Sequence, residues 1–270
     1  MQSRKNGQRN IWLLTGTGEG PPLASLLLEQ GWNVSVSVVT VSASWPYLEM
    51  PLTSLFVGPL FGIEGIKKVL KESESHHEGF DWVIDATHPF AVEISSNLQE
   101  ACKEVSQPLI RLERPLGISN ESGTVLIEDS KELSNYSFKG RNVLMALGAR
   151  YLRETVFAVH ESGAKVFARV LPTPESLRKS LICQVPQSHL AVFRPLQGSN
   201  IGDFERALCR RWSINDVICR QSGGLTQKLW SSICQHENIN LWLINRPKLA
   251  AGVEVFHTFN TLLNRISRDQ

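Results

Sequence analysis

Short apolar runs rich in β-branched residues alternate with longer amphipathic stretches along the whole chain. That alternation predicts strands followed by helices, the pattern of parallel sheets. In the first half it predicts strands over Asn10–Leu14, Trp32–Val41, Thr53–Val57 and Trp82–Ile84, a strand inside Pro108–Pro115, and a short one over Thr124–Ile127. Helices are expected from Pro21 to Gly31, from Ile63 to Glu74 with Ile66, Val69 and Leu70 on one face, and from about Phe90 onward. The polar stretch Ser73–Gly79, with adjacent His76 and His77, reads as a loop. The pattern restarts near Lys139-Gly140. Strands are then expected over Asn142–Leu147, Lys165–Leu171, His189–Phe193, Asn215–Cys219 and Ile239–Ile244, with a helix after each, the last over Phe256–Ile266. Two α/β domains follow, residues 1–138 and 139–270, each built on a parallel sheet.

The stretch DWVIDATHPF, Asp81 to Phe90, carries the densest chemistry. A buried strand ends at Asp85-Ala86-Thr87-His88-Pro89, and Pro89 keeps His88 out of helical geometry. An acid, a hydroxyl and an imidazole therefore stand on one strand-to-helix loop, the edge where open parallel sheets bind ligands. Capping of the next helix by Asp85 or Thr87 is the plainer alternative. A second such turn follows the first strand: Thr15-Gly16-Thr17-Gly18-Glu19-Gly20, then Pro21-Pro22. Glycines let backbone approach a ligand, and the first helical amides with the helix dipole can hold a phosphate. Gly16 and Gly18 fit the dinucleotide pattern GxGxxG, whereas Pro21 stands where its third glycine is expected. Such turns also join strands to helices for steric reasons alone. No acid ends the second strand, where Thr40, Ser42 and Ser44 stand, and this tilts the cofactor from NAD toward NADPH.

Several predicted strands end in arginine: Arg111 and Arg114, Arg169, Arg194, Arg220 and Arg246. Guanidinium groups collected at strand ends suit a polycarboxylate or phosphorylated small molecule. The alternative is that Arg-Pro pairs merely end strands at the surface. A net charge of +2, with no basic block, gives nucleic acid no electrostatic footprint. Five scattered cysteines with no CxxC pair indicate neither a zinc site nor a redox dithiol, so no metal is expected. No apolar run reaches the length of a membrane span, and reduced thiols fit a cytoplasmic protein.

Together these residues resemble the precorrin-6A reductase family of corrin biosynthesis, cobalt-precorrin-6A reductases included, over nearly the whole chain. The family's GGTGE turn is matched by Thr15-Gly16-Thr17-Gly18-Glu19, and its DATHPFA followed by IS by Asp85–Ala91 with Ile94-Ser95. Further matches are Leu112-Glu113-Arg114-Pro115, Arg169-Val170-Leu171-Pro172, Ser222-Gly223-Gly224 and Arg246-Pro247. The resemblance implies two Rossmann-like domains with a cleft between them, NADPH, and a tetrapyrrole substrate rich in carboxylates. It implies cofactor contacts from Gly16, Thr17, Gly18, Glu19, Asp85, Ala86 and Thr87. Substrate contacts are implied from His88, Phe90, Arg111, Arg114, Arg169, Arg220, Ser222 and Gly223, with His88 the candidate proton donor. Four departures stand out: Thr15 for the first glycine, no AGR-like motif after the second strand, Arg194-Pro195-Leu196 for a GPF segment, and Arg220 for a lysine. Two alternatives accommodate them: a non-catalytic dinucleotide- or tetrapyrrole-binding protein, or an NADPH reductase of another polyanion.

Overall fold

In the computed structural model the described residues are 9–77, 79–116, 123–194, 198–248 and 252–268. Along the first half the chain forms β1 (Asn10–Thr15), α1 (Gly20–Glu29), β2 (Asn33–Val38), α2 (Val41–Ser44), β3 (Ser54–Val57), α3 (Gly62–His77), β4 (Trp82–Ala86), α4 (Val92–Glu104), β5 (Leu109–Leu112) and β6 (Thr124–Ile127). It continues through β7 (Asn142–Met145), α5 (Ala149–Glu161), β8 (Lys165–Val170), α6 (Pro174–Ile182), β9 (Leu190–Val192), α7 (Asp203–Arg211), β10 (Asp216–Arg220), α8 (Leu225–Glu237), β11 (Asn240–Ile244), β12 (Glu254–Phe256) and α9 (Phe259–Ser267).

These elements build two six-stranded sheets, ordered β12-β5-β4-β1-β2-β3 and β6-β11-β10-β7-β8-β9, with parallel pairing throughout. The α/β class and the parallel, Rossmann-like sheets expected from the sequence are both present. In the first sheet the two-residue period of β1 sorts its side chains onto two cores. Ile11 and Leu13 join Leu23 and Leu27 of α1 and Leu262 and Ile266 of α9. Trp12 and Leu14 join Ile66 and Leu70 of α3 and Leu98 of α4. Each fully buried leucine contributes about 1.5–3 kcal/mol. Trp12 Nε1 meets its one polar need by donating to Ser37 Oγ at 2.8 Å.

The domain division differs from the expected break at 138/139. One unit comprises Met1–Pro115 with Pro247–Gln270, the other Leu116–Arg246. β6, expected with the first half, pairs with β11; β12, a strand not predicted from the sequence and lying in the stretch assigned to the second half, pairs with β5. Edge strands contributed by remote segments leave no local periodicity, so the restart at Lys139 looked like the boundary. The crossings fall instead at Pro115-Leu116 and Arg246-Pro247.

Smaller corrections have local causes. α3 continues to His77, through the stretch read as a loop. α4 begins at Val92, because the Ala91 amide closes a turn onto the His88 carbonyl at 2.7 Å. β2 stops at Val38, and Thr40 caps the unpredicted α2 by accepting from the Ala43 amide. Pro195 and Leu196 lie outside the described residues. Among the described residues no helix is long and apolar enough to cross a membrane, and no three His, Cys, Asp or Glu side chains cluster as metal ligands would.

Candidate functional site

The turn after β1 holds three glycines with two different physical reasons. An ideal Cβ on Gly20 would fall 2.0 Å from Thr15 Oγ1 and 2.1 Å from the Tyr47 hydroxyl. Gly20 is thus the residue that lets α1 approach β1, the task assigned in dinucleotide folds to the third glycine of the motif. The sequence pattern placed that task at Pro21, one residue late. It also explains Thr15: its side chain, 3% exposed, packs against Gly20 and Tyr47. Gly16 and Gly18 are exposed, have no atom within 4 Å of an ideal Cβ, and hold no left-handed backbone angle. Nothing among the described residues requires glycine at either position.

The amides of the first turn of α1 are not the donors expected there. Pro21 and Pro22 carry none, Gly20 donates to the Thr17 carbonyl at 3.2 Å, and Leu23 to the Glu19 carbonyl at 3.1 Å. Any phosphate held here must draw on the turn's own amides and on Thr17. Glu19, beside them, is bound by the guanidinium of Arg114 through Nη2. Burial pushes the Glu19 carboxyl up, but the Arg114 and Thr17 hydrogen bonds and the Arg114 charge outweigh it and hold the group below the ordinary carboxylate range. Thr17, Glu19, Thr87, Pro89, Leu112 and Arg114 line one small hollow, so the glycine turn and the His88 loop do converge within this unit.

At the neighbouring strand, Asp85 and Arg111 are Cα partners across β4 and β5 and form an ion pair, each side chain 2–3% exposed. Asp85 Oδ1 also accepts from the Thr87 amide at 3.0 Å and from Thr87 Oγ1 at 2.7 Å. His88 Nδ1 accepts from the Phe90 amide at 3.2 Å, which leaves the proton of the neutral ring on Nε2. Ala86 and Phe90 are buried, at 3% and 7% exposure. Of the residues expected to touch ligand on this loop, Thr87 and His88 are part-exposed; Asp85, Ala86 and Phe90 lie within the framework.

In the other unit, four adjacent strands deliver polar groups to the C-terminal edge of the sheet. Arg246 follows β11, Arg220 ends β10, Gly148 follows β7, and Arg169 lies at the end of β8. Arg220 stands over the Tyr151 ring, 5.2 Å from its centroid, with Nη2 3.7 Å from where a Cβ on Gly148 would lie. Ser222 and Gly223 form the turn into α8: the Gly223 amide donates to Gln227 Oε1 at 2.7 Å, and the Ser222 carbonyl accepts from Arg246 Nη2 at 3.2 Å. Arg169 is the least satisfied. It stacks on Phe193 at 5.0 Å and lies 3.8 Å from Glu205, while its Nε and Nη2 and the Glu205 Oε2 have no hydrogen-bond partner among the described residues. Burial lowers the Arg169 and Arg220 pKa values, yet a guanidinium stays charged near neutrality.

Gly20, Tyr47 and Glu205 belong to these sites and were not singled out in the sequence, where Ser95 stood only as part of a family match. Gly20 carried a signal, being the third glycine at alternate positions; the others sit in segments whose local pattern says only helix or turn. A cavity of about 1220 Å³ in the second unit, lined by Arg153, Phe157, Lys165, Cys183 and His189 among others, opens at the N-terminal ends of β7 and β8. That is the far edge from Arg169 and Arg220.

The family model described as precorrin-6x reductase CbiJ/CobK matches residues 10–267. A cobalt-precorrin-6A reductase of Synechocystis sp. is 30% identical over 247 residues, 90% of each chain. One from Priestia megaterium is 26% identical over 260 residues, 95% of this chain and 97% of the relative. A precorrin-6A reductase of Mycobacterium tuberculosis is 29% identical over 247 residues, 90% of this chain and 91% of the relative. Among solved structures, a CobK precorrin-6A reductase shares the fold, with a TM-score of 0.75 at 22% identity over 97% of each chain. With a family match spanning both sheets and the loop between β4 and α4, the chain belongs to the precorrin-6x reductase CbiJ/CobK family.

Proposed function

We propose that the chain is an NADPH-dependent reductase of precorrin-6A or its cobalt form, acting in cobalamin biosynthesis. The observation that carries the cofactor half is the contrast among the glycines. Gly20 is required by packing, whereas an ideal Cβ on Gly16 or Gly18 meets no atom of the described residues within 4 Å. A pyrophosphate beside that turn gives both glycines a reason. The names and coverage of the relatives support the substrate half.

When bound, a reduced nicotinamide supplies the hydride for one unsaturated carbon of the macrocycle. The residues of this chain bind and orient. The turn amides and Thr17 hold phosphate oxygens, and the Glu19–Arg114 pair keeps a bare carboxylate from facing them. Thr87 borders the nicotinamide ribose. Arg169 and Arg220, with the Ser222-Gly223 turn, take carboxylates of the substrate. His88, holding its proton on Nε2, donates a hydrogen bond. His88 is the candidate donor on this loop for the proton that completes the reduction, and water is the alternative source.

Purified protein given NADPH and precorrin-6A, with and without cobalt, is expected to consume one NADPH per substrate. Arg169→Ala is expected to raise the substrate KM at least about tenfold with a smaller change in NADPH affinity. Absence of NADPH oxidation with either substrate would overturn the reading; saturable binding of both ligands without turnover would establish the binding-protein alternative.

A further inference from the structure

The side chains of Arg111, Asp85, Thr87 and Ser95 close a ring. Arg111 Nη1 donates to Asp85 and, at 2.7 Å, to Ser95 Oγ. Asp85 Oδ1 receives both donors of Thr87. Thr87 Oγ1 and Ser95 Oγ, 3.4 Å apart, complete the circuit when Ser95 turns its one hydroxyl proton toward Thr87; the Ala91 carbonyl, at 3.3 Å, is the other acceptor for that proton. Three elements are tied at one point: the end of β4, the middle of β5 and the first turn of α4. The segment from Ala86 to Ala91 spans the gap. A buried ion pair contributes little net stability compared with an apolar pair of the same volume, so holding β4 to β5 is not its main effect. It does fix geometry, because a guanidinium fork offers donors in set directions. Glu113 Oε1, 3.5 Å from Nη2, flanks the fork from the same strand.

From this ring we propose that Arg111 and Asp85 are positioning residues: neither contacts cofactor or substrate, and both act by holding Thr87 and His88 in the arrangement that aligns the bound reactants. The inference rests on the reductase reading for its kinetic consequence, and on the ring alone for its structural one. It reassigns two residues whose types and location at a strand end marked them as ligand contacts. A cavity of about 230 Å³, lined by Asp85, Ser95, Ser96, Gln99, Arg111 and Lys248 among others, reaches the ring and is wide enough for a small planar cation.

The test uses the full chain with three variants. Arg111→Lys keeps the charge but replaces the fork with a point donor; it is expected to lower kcat about 10- to 100-fold, the scale of a displacement near 1 Å, with both KM values within about threefold. Ser95→Ala leaves the ion pair and the sheet intact and is expected to lower kcat several-fold. Arg111→Ala is expected to regain activity with millimolar methylguanidinium and not with the same concentration of tetramethylammonium. Hydrogen exchange supplies a readout independent of turnover: the Thr87 and Phe90 amides should exchange at least about tenfold faster in Arg111→Lys and Ser95→Ala, while amides of β1 keep their protection. Unchanged kcat in folded Arg111→Lys, or unchanged Thr87 exchange in both variants, overturns the proposal. A large rise in KM with kcat preserved overturns it in favour of direct ligand contact. Failure of the wild-type protein to oxidise NADPH would fell the reductase reading while the exchange data still judge the ring.

Discussion

Substituting alanine for two glycines only two residues apart, Gly20 and Gly18, should separate packing from binding. At Gly20 the new methyl group would lie 2.0 Å from Thr15 Oγ1, 2.1 Å from the Tyr47 hydroxyl and 2.9 Å from Thr15 Cβ. Rotating the threonine does not relieve the last contact, since its Cβ is fixed on the central strand β1. Both neighbours are 2–3% exposed and have no room to retreat. Overpacking of this kind costs about 1–3 kcal/mol, and the high end applies here. Alanine's better helix propensity returns up to about 1 kcal/mol. The net expectation for Gly20→Ala is a loss of about 1–2 kcal/mol, read as a fall in Tm of about 2–8 °C. Gly18→Ala meets no atom within 4 Å. Its stability should be unchanged, or higher by about 0.4–1 kcal/mol through the unfolded chain, while its NADPH affinity falls at least about tenfold. Urea denaturation and titration of NADPH fluorescence measure the two quantities on the same samples. Adding Tyr47→Phe to Gly20→Ala should recover part of the lost stability and not all, because the Thr15 contacts persist. Wild-type stability in Gly20→Ala, or unaltered NADPH affinity in Gly18→Ala, would refute the division of labour among the glycines.

Two further outcomes follow from the ionisable groups. The Glu19 carboxyl lies below its ordinary value in the folded state, so its pair with Arg114 stabilises fully above the unfolded pKa and is lost as pH falls through the lowered one. The stability difference between wild type and Glu19→Gln should therefore shrink between about pH 5 and about pH 3, which denaturation at stepped pH will show; a difference that is flat over that range would mean that the pair is not formed. Burial raises the thiols of Cys102 and Cys209 to about 12 and that of Cys219 to about 11, and raises Cys234 as well. Cys183, the least enclosed, is also raised. Native protein should release at most one equivalent from a disulfide reagent near neutral pH, against five after denaturation; two or more rapid equivalents would contradict the buried placement.

Much of the site was legible because its signals are local. The strand-to-helix turns at Gly16 and His88 announce themselves through glycine and proline, whose backbone constraints do not depend on distant contacts. The arginines at the ends of β8, β10 and β11 could be placed on one edge because parallel strands share their C-terminal end. What the pattern could not show is which charges are already answered. Arg111 and Arg169 look alike in sequence, each just before a strand's end. Yet Arg111 is enclosed by Asp85, Ser95 and Glu113, while the Arg169 Nε and Nη2 have no hydrogen-bond partner among the described residues.

By itself, then, the order of residues determined the class of the fold, the positions of its turns and the chemistry offered there, since each depends on neighbours within a few residues. The tertiary structure decided that β6 and β12 change sheets, that Gly20 rather than its successor lets α1 close on β1, and that Asp85 answers Arg111 across two strands. Those outcomes are set by steric fit, charge pairing and hydrogen bonding between segments that are mostly remote in the chain, such as Asp85 with Arg111, 26 residues apart, and His257 with the Glu113 carbonyl, 144 apart, and such pairings exist only once the sheets have formed.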